Sequence, residues 1–127
     1  MKYVRTIATP EGGSRFEDVD VPTTARQVVP GRPAFASSAT IATAGAALMH
    51  IEAGWDGDWH PSPRRWFVVT LMGEIEAMTT DGEVRRFGPG SIWLIEDTIG
   101  RGHNTRVLAD WNGFGVDLAE QSAQPMP

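Results

Sequence analysis

Cysteine is absent from this chain of 127 residues, which excludes disulfides, thiolate metal sites and thiol catalysis together. Any metal must then be held by histidine, carboxylate, amide or water. Apolar runs are short: none approaches the ~20 residues of a membrane span. The opening MKYVRTIATPEGG also lacks the apolar centre of a secretion signal, so a cytoplasmic protein with no membrane partner is expected. Positive charge is scarce, with 11 Lys and Arg against 16 Asp and Glu for a net −5. That balance disfavours a nucleic-acid partner, because such partners reward basic patches. No Gly-x-Gly-x-x-Gly opens a helix and there is no phosphate-binding loop, so no nucleotide cofactor is expected. The Gly-x-Ser-x-Gly elbow of serine hydrolases is missing too. Ser62 stands two residues from His60, but on a strand that spacing arises often by coincidence and does not make a nucleophile–base pair.

What is present reads as strands. The length and a mass of 13.8 kDa give one domain over 1–127, enough for a single core. Tyr3–Ile7 and Ser14–Val21 are β-rich runs separated by the turn cluster Thr9-Pro-Glu-Gly-Gly13. Thr23–Ser38, carrying Pro30 and Pro33, reads as a loop or irregular edge. The alanines of Thr40–Ala47 suggest helix, whereas Gly45 and β-branched Thr40, Ile41 and Thr43 favour a strand that continues through Glu52. Arg65–Met72 and Glu74–Thr79 follow as strands, with a bend at Gly73. Thr80-Asp81-Gly82 leads into Glu83–Phe87, and Asp-Gly between alternating runs predicts a type I′ hairpin, whose two central residues need positive φ. Gly88-Pro89-Gly90 feeds Ser91–Ile95; Gly100–Leu108 and Trp111–Asp117 complete the series. Eight or nine short strands and no long helix predict an all-β sandwich or barrel. Ala119–Pro127 is polar and proline-capped, and a flexible tail is expected there.

Two histidines organise the middle of the chain. Gly54, His60 and Gly73 carry one run of glycine, five residues, histidine and a later glycine; Gly90 and His103 carry a second glycine-to-histidine run. In these motifs the chain resembles the cupins, small β-barrels of jelly-roll type. Ser14-Arg-Phe-Glu, HPSPRR, the hairpin with FGPGS, and EDTIGRGH are further similar to short, single-domain bacterial cupins of unassigned activity. The likeness spans Gly13 to Leu118. It implies a cupin jelly-roll β-barrel of two packed antiparallel sheets with little or no helix, a homodimer formed through edge strands, and a site in the barrel interior. Cupins typically hold a divalent ion there on three histidines and a carboxylate. In this chain Ser62 stands at the second histidine position, Trp66 at the glutamate position, and Glu96-Asp-Thr-Ile-Gly in place of a Pro-x-Gly loop.

Those replacements bear on chemistry. Alternate residues of a strand face one way, so His60, Ser62, Arg64, Trp66 and Met72 share the interior side if the strand is unbroken. Divalent Fe, Mn, Ni or Zn wants three or four converging N/O ligands. His60 and His103 supply two, and Glu96, Asp58 or His50 would have to complete the set, Glu96 first because it precedes the His103 strand. That set would resemble the two-histidine, one-carboxylate arrangement with open positions. Without metal, His60 or His103 would serve as general acid or base. Arg64 would hold an anionic substrate, and Trp66, Met72, Trp93 and His50 would line the pocket. Plainer readings stand beside these: satisfied imidazoles at 50, 60 and 103, Glu96 and Asp97 capping the Thr98-Ile-Gly turn, solvated Arg64 and Arg65, and core roles for Trp66, Met72 and Trp93. Trp55 and Trp59, in a Gly/Asp loop, suit a pocket rim or a dimer contact. The expected function is a small-molecule cupin, an oxygenase, lyase or isomerase acting on a small carbonyl, acid or phenolic compound. A metal-free isomerase or lyase using histidine as base, and a non-catalytic ligand-binding barrel, are the alternatives.

Overall fold

In the computed structural model, which describes residues 1–120, the regular structure among those residues is entirely β. Strand β1 (Lys2–Ala8) pairs antiparallel with β2 (Ser14–Asp20) and, on its other edge, parallel with β9 (Ile92–Ile95). Beyond β9 lie the long β7 (Trp66–Met78), the longer β10 (His103–Leu118) and then β5 (Thr43–Ile51), in the order β2-β1-β9-β7-β10-β5. Strand β8 (Val84–Phe87) pairs with the second half of β7, and β6 (Asp56–His60) with the start of β10. The Thr23–Ser38 stretch, read above as loop or irregular edge, contains a small separate ribbon, β3 (Thr24–Arg26) with β4 (Phe35–Ser37). The expected tail lies, from residue 121 on, outside the described residues.

Two bends turn this sheet into a barrel. Gly73 in β7 has φ +85°, and a Cβ there would collide with the Asp110 carbonyl of β10. Opposite it, the register of β10 slips repeatedly between Val107 and Gly113. Bulged strands bend and twist more strongly, so each long strand crosses from one wall to the other. The sequence reading divided β7 at Gly73 and β10 between Leu108 and Trp111; both are continuous strands. The two layers are therefore halves of one sheet, and the β1–β9 pair is a parallel exception to the antiparallel pattern expected. Between the walls sit Val68, Ile75, Phe87, Trp93, Val107 and Trp111. Neighbours of opposite parity, Phe67 and Leu94, turn to the outer face and join Tyr3 and Leu118 there.

The β7–β8 connection departs from the type I′ expectation. Only Gly82 has positive φ, at +87°, and its N–H bonds the Thr79 carbonyl while the Thr79 N–H bonds that of Glu83. Asp81 accepts from the Thr79 hydroxyl at 2.6 Å and the Glu83 N–H at 3.1 Å, which holds its carboxyl below the usual carboxylate range. A side-chain bond from Thr79 thus replaces the second left-handed residue.

One stability prediction arises here. Glu76 on β7 accepts from Arg106 at 2.6 Å and from Arg86 at 3.2 Å. The Arg106 hydrogen bond, with that of Arg86 behind it, holds the Glu76 carboxyl below its ordinary value of 4.5. A carboxyl lowered by folding contributes stability that is fully present above the unfolded value and is lost as pH falls through the folded one. The urea midpoint is expected to decline on acidification below about pH 4.5, and Glu76→Gln to flatten part of that decline. An unchanged acid limb in the variant would dissociate this cluster from acid stability.

Candidate functional site

The antiparallel register of β6 and β10 sets His60 directly opposite His103, and their ring centroids lie 5.1 Å apart. Gly102 allows this approach. It has φ +77°, and any Cβ there would overlap the His60 carbonyl and the Pro61 nitrogen. Both imidazoles line a cavity of about 240 Å³ between the barrel walls. Its walls are apolar: Met49 and Ile51 of β5, Val68 and Ile75 of β7, Ile95 of β9, and the rings of Trp66, Trp93 and Trp111. Trp55, 47% exposed, stands at the mouth.

Hydrogen bonding assigns each imidazole its tautomer. His60 Nδ1 lies 3.1 Å from the Gly57 carbonyl and 2.9 Å from that of Asp58. Carbonyl oxygens only accept, so Nδ1 carries the proton and Nε2 the free lone pair. His103 Nδ1 lies 2.6 Å from Asp97 Oδ2, with both side chains buried, at 3% and 0% exposure. The carboxylate orients the ring and again leaves Nε2 free. The edge of Trp93 packs against His103 at 5.4 Å, and Phe87 stacks on Trp93 at 4.4 Å. The pair is held by its surroundings, with little freedom to swing.

The sequence offers Asp97 no role beyond the plainer one of a turn cap shared with Glu96. The overlooked signal is parity. Trp93 and Ile95 line the cavity, and the extended chain continues past β9, with the Glu96 N–H bonding the Thr6 carbonyl. Position 97 thus falls on the interior side and position 96 on the other. Glu96, expected to be the third metal ligand and a catalytic group, accordingly points outward and pairs with Arg65 at 2.6 Å and Arg5 at 3.7 Å.

Other expectations are corrected for similar reasons. His50 alternates with Met49 and Ile51, so it faces outward, exposed, and its Nδ1 lies 2.6 Å from Asn112 Oδ1. Met72 is 59% exposed, because the slip of β10 around Asn112 breaks the alternation that would have turned it inward. The chain from His60 to Trp66 is no continuous strand: β6 ends at His60, and Pro61 and Pro63, which cannot donate, precede the start of β7. Arg64 therefore leaves the interior, pairs with Asp117 and lies over the Trp66 ring at 4.6 Å. Asp58 is exposed on β6. Of the predicted pocket residues, His60, His103, Trp66 and Trp93 line the cavity. Ser62 lines it too, but its hydroxyl donates to the Arg64 carbonyl at 2.6 Å.

The donor set is short for a divalent ion. Two imidazoles converge, Trp66 beside them offers no ligand, and Asp97 is engaged behind His103. Among the described residues no group of three or more His, Cys, Asp or Glu stands close enough to hold a metal, against the three or four ligands such ions take. Three protein ligands are not available at this pair. Two buried side-chain polar atoms lack partners among the described residues: the Trp66 indole nitrogen and Asp97 Oδ1. The two fully buried indoles are satisfied, Trp93 by Thr6 at 2.8 Å and Trp111 by Thr70 at 2.9 Å.

Comparison with known proteins finds similarity among solved structures. No family model matches the chain, and no curated protein matches it. Among solved structures it is similar to a conserved protein of unknown function, SPY1581, from Streptococcus pyogenes, at 20% identity and TM-score 0.49 over 61% of this chain and 66% of that one. It is also similar to the cupin domain of Cnp3 from Schizosaccharomyces pombe, at 12% identity and TM-score 0.45 over 84% of this chain and 73% of that one. The regular structure of the described residues is all-β, as expected from the sequence. No helix among the described residues is long and apolar enough to cross a membrane.

Proposed function

We propose that the barrel binds a small organic molecule and that His103, oriented by Asp97 and flanked by His60, moves a proton on it. The observation that carries this reading is the buried 2.6 Å contact between His103 and Asp97 at the wall of an apolar cavity. A carboxylate behind an imidazole fixes the ring and stabilises the imidazolium formed when the other nitrogen takes a proton. With a carbonyl compound the step balances simply. His103 Nε2 takes the proton α to the carbonyl, the C–H pair becomes the C=C of an enolate, and the carbonyl π pair moves to oxygen. Return of a proton to carbon regenerates the ketone or yields an isomer. A divalent ion on the two histidines, the other expectation from the motifs, would instead polarise the carbonyl. The two-ligand donor set favours the metal-free route. The free edge of β5, with Leu48 74% exposed, supports the expected pairing of copies.

The test is deuterium exchange of the methyl protons of acetophenone and related small ketones in D2O, followed by proton NMR. Exchange above buffer is expected, falling about 100-fold in His103→Gln. In Asp97→Asn the rate should drop while ketone binding, read by ligand-observed NMR, is kept. Exchange no faster than buffer across the panel would leave the barrel a binder. Near-stoichiometric Fe, Mn, Ni or Zn in untagged protein, lost in both His60→Ala and His103→Ala, would replace acid–base chemistry with metal chemistry.

A further inference from the structure

Every residue from Pro22 to Ala36 is exposed, and the ribbon in this stretch pairs only within itself, β3 with β4. A two-stranded ribbon on its own is marginal in water. This one also displays Val28, Val29 and Phe35, each more than half exposed. The strand that follows is uncovered as well. β5 ends the strand order, so its outer edge is unpaired among the described residues, and Thr43 to Leu48 are exposed. Native edges are blunted by charge, proline or shortness. β5 has none of these: it runs nine residues without proline, inside the longest stretch of the chain free of Asp, Glu, Lys and Arg, Pro33 to Ile51. Depletion of charge is the compositional mark of an interface core.

Order along the chain decides what a second copy would bring. The β3–β4 arm leads into the start of β5. At the other end of that strand an open groove is lined by His50, Ile51, Glu52, Ala53 and Trp55. About a two-fold axis, two antiparallel β5 edges set the start of each strand beside the end of the other. Each arm is thereby carried to the partner's groove. Charge agrees with this placement. Arg26 and Arg32 are the only charged side chains from Pro22 to Ile51, and neither is in an ion pair among the described residues. The groove is acidic: Glu52 is exposed, and the Asp110 carboxylate accepts the Ala53 N–H at its edge. Trp55 belongs both to this groove and to the cavity that holds the two histidines.

We infer that two copies join by antiparallel pairing of their β5 edges, and that each copy's β3–β4 arm lies across the partner's Trp55 and closes the mouth of the partner's cavity. The site is then incomplete in a single chain. This rests on the proposed function for what the mouth admits, but not on any turnover.

Sedimentation equilibrium and cross-linking test the two halves. The wild-type protein should sediment at twice its chain mass of 13.8 kDa at about 10 µM, as a micromolar Kd requires. Leu48→Lys replaces a side chain that is 74% exposed and puts charge into the uncharged edge. It should weaken association about 100-fold, with the circular dichroism of the wild type showing that the variant is folded. Engineered thiols are unique in a chain without cysteine. Val29→Cys and Glu52→Cys proteins, mixed, equilibrated and treated with a short bismaleimide, should give a covalent pair joining one variant to the other. Its yield should exceed by about tenfold that of the same mixture carrying Leu48→Lys, because pairing raises the effective concentration of the thiols. A monomer at about 100 µM overturns the inference and leaves arm and edge to a different partner. A dimer indifferent to Leu48→Lys overturns the pairing of β5 edges. A sensitive dimer that lacks the cross-link overturns the placement of the arm. Absence of deuterium exchange, with these results intact, removes the catalytic reading alone.

Discussion

Gly102→Ala is expected to be the most damaging single methyl that can be added to this protein, costing about 4 kcal/mol or more. Two effects combine. Alanine in the left-handed region costs about 1–2 kcal/mol, since Gly102 has φ +77°. The added carbon would also overlap the backbone carbonyl of His60 and the nitrogen of Pro61, and backbone cannot rotate away as a side chain would. Relief requires β6 to separate from β10, which unpairs the two histidines. Gly82→Ala is the control. Its φ is +87° but a Cβ there meets nothing within 4 Å, so it carries the conformational cost alone. Urea unfolding of both variants measures the difference. A Gly102→Ala loss no greater than that of Gly82→Ala would mean that the β6–β10 approach is looser than described, and with it the geometry of the imidazole pair.

Trp111→Ala should be nearly as severe, at about 3–5 kcal/mol, from a total that for domains of this kind is about 5–15 kcal/mol. Trp111 has no exposed surface. Its ring packs so closely on Gly113 that a Cβ there would meet two of its ring carbons, and its indole N–H donates to Thr70 at 2.9 Å. Removing it deletes apolar contact and opens the space into the neighbouring cavity, which Trp111 itself helps line. The enlarged void supplies the check: added indole should raise the unfolding midpoint of Trp111→Ala by more than it raises that of wild type, because a ligand that binds only the folded state stabilises it. A loss below about 1 kcal/mol, or no rescue by indole, would place Trp111 outside the load carried by the core.

Much of the barrel was legible in the sequence because period-two patterning and glycine turns are local signals. β1, β2, β5, β8 and β9 fall where β-branched runs and Gly/Pro punctuation place them. The long strands were not legible as wholes: Gly73 reads as a terminator, and only the Asp110 carbonyl of another strand makes it a bend within a strand. The asparagine-and-glycine stretch around residues 112–115 hides a bulge for the same reason. At the site, the motif spacing located His60 and His103, which the register then sets face to face. Glu96, His50, Met72 and Arg64 were misplaced by treating nearness in sequence, or alternation through Pro61 and Pro63, as nearness in space. Counting parity from Trp93 would have exchanged Glu96 for Asp97. The commitments of the arginines, and so their absence from the cavity lining, depend on partners distant along the chain such as Asp117.

The parallel seam between β1 and β9 has a temporal consequence. Trp93 bonds Thr6 across 87 positions of chain, and β1 on its own has only β2, a two-stranded hairpin that is marginal in water. During synthesis β1 emerges well before β9 and waits for it. Topologies ruled by such distant pairings fold on the order of milliseconds to seconds, and their unpaired edges stay open to other chains meanwhile. A strand made well before its partner is thus among the last secured, and changes at Val4 or Thr6 should slow folding more than they speed unfolding only if that seam is already formed in the rate-limiting step.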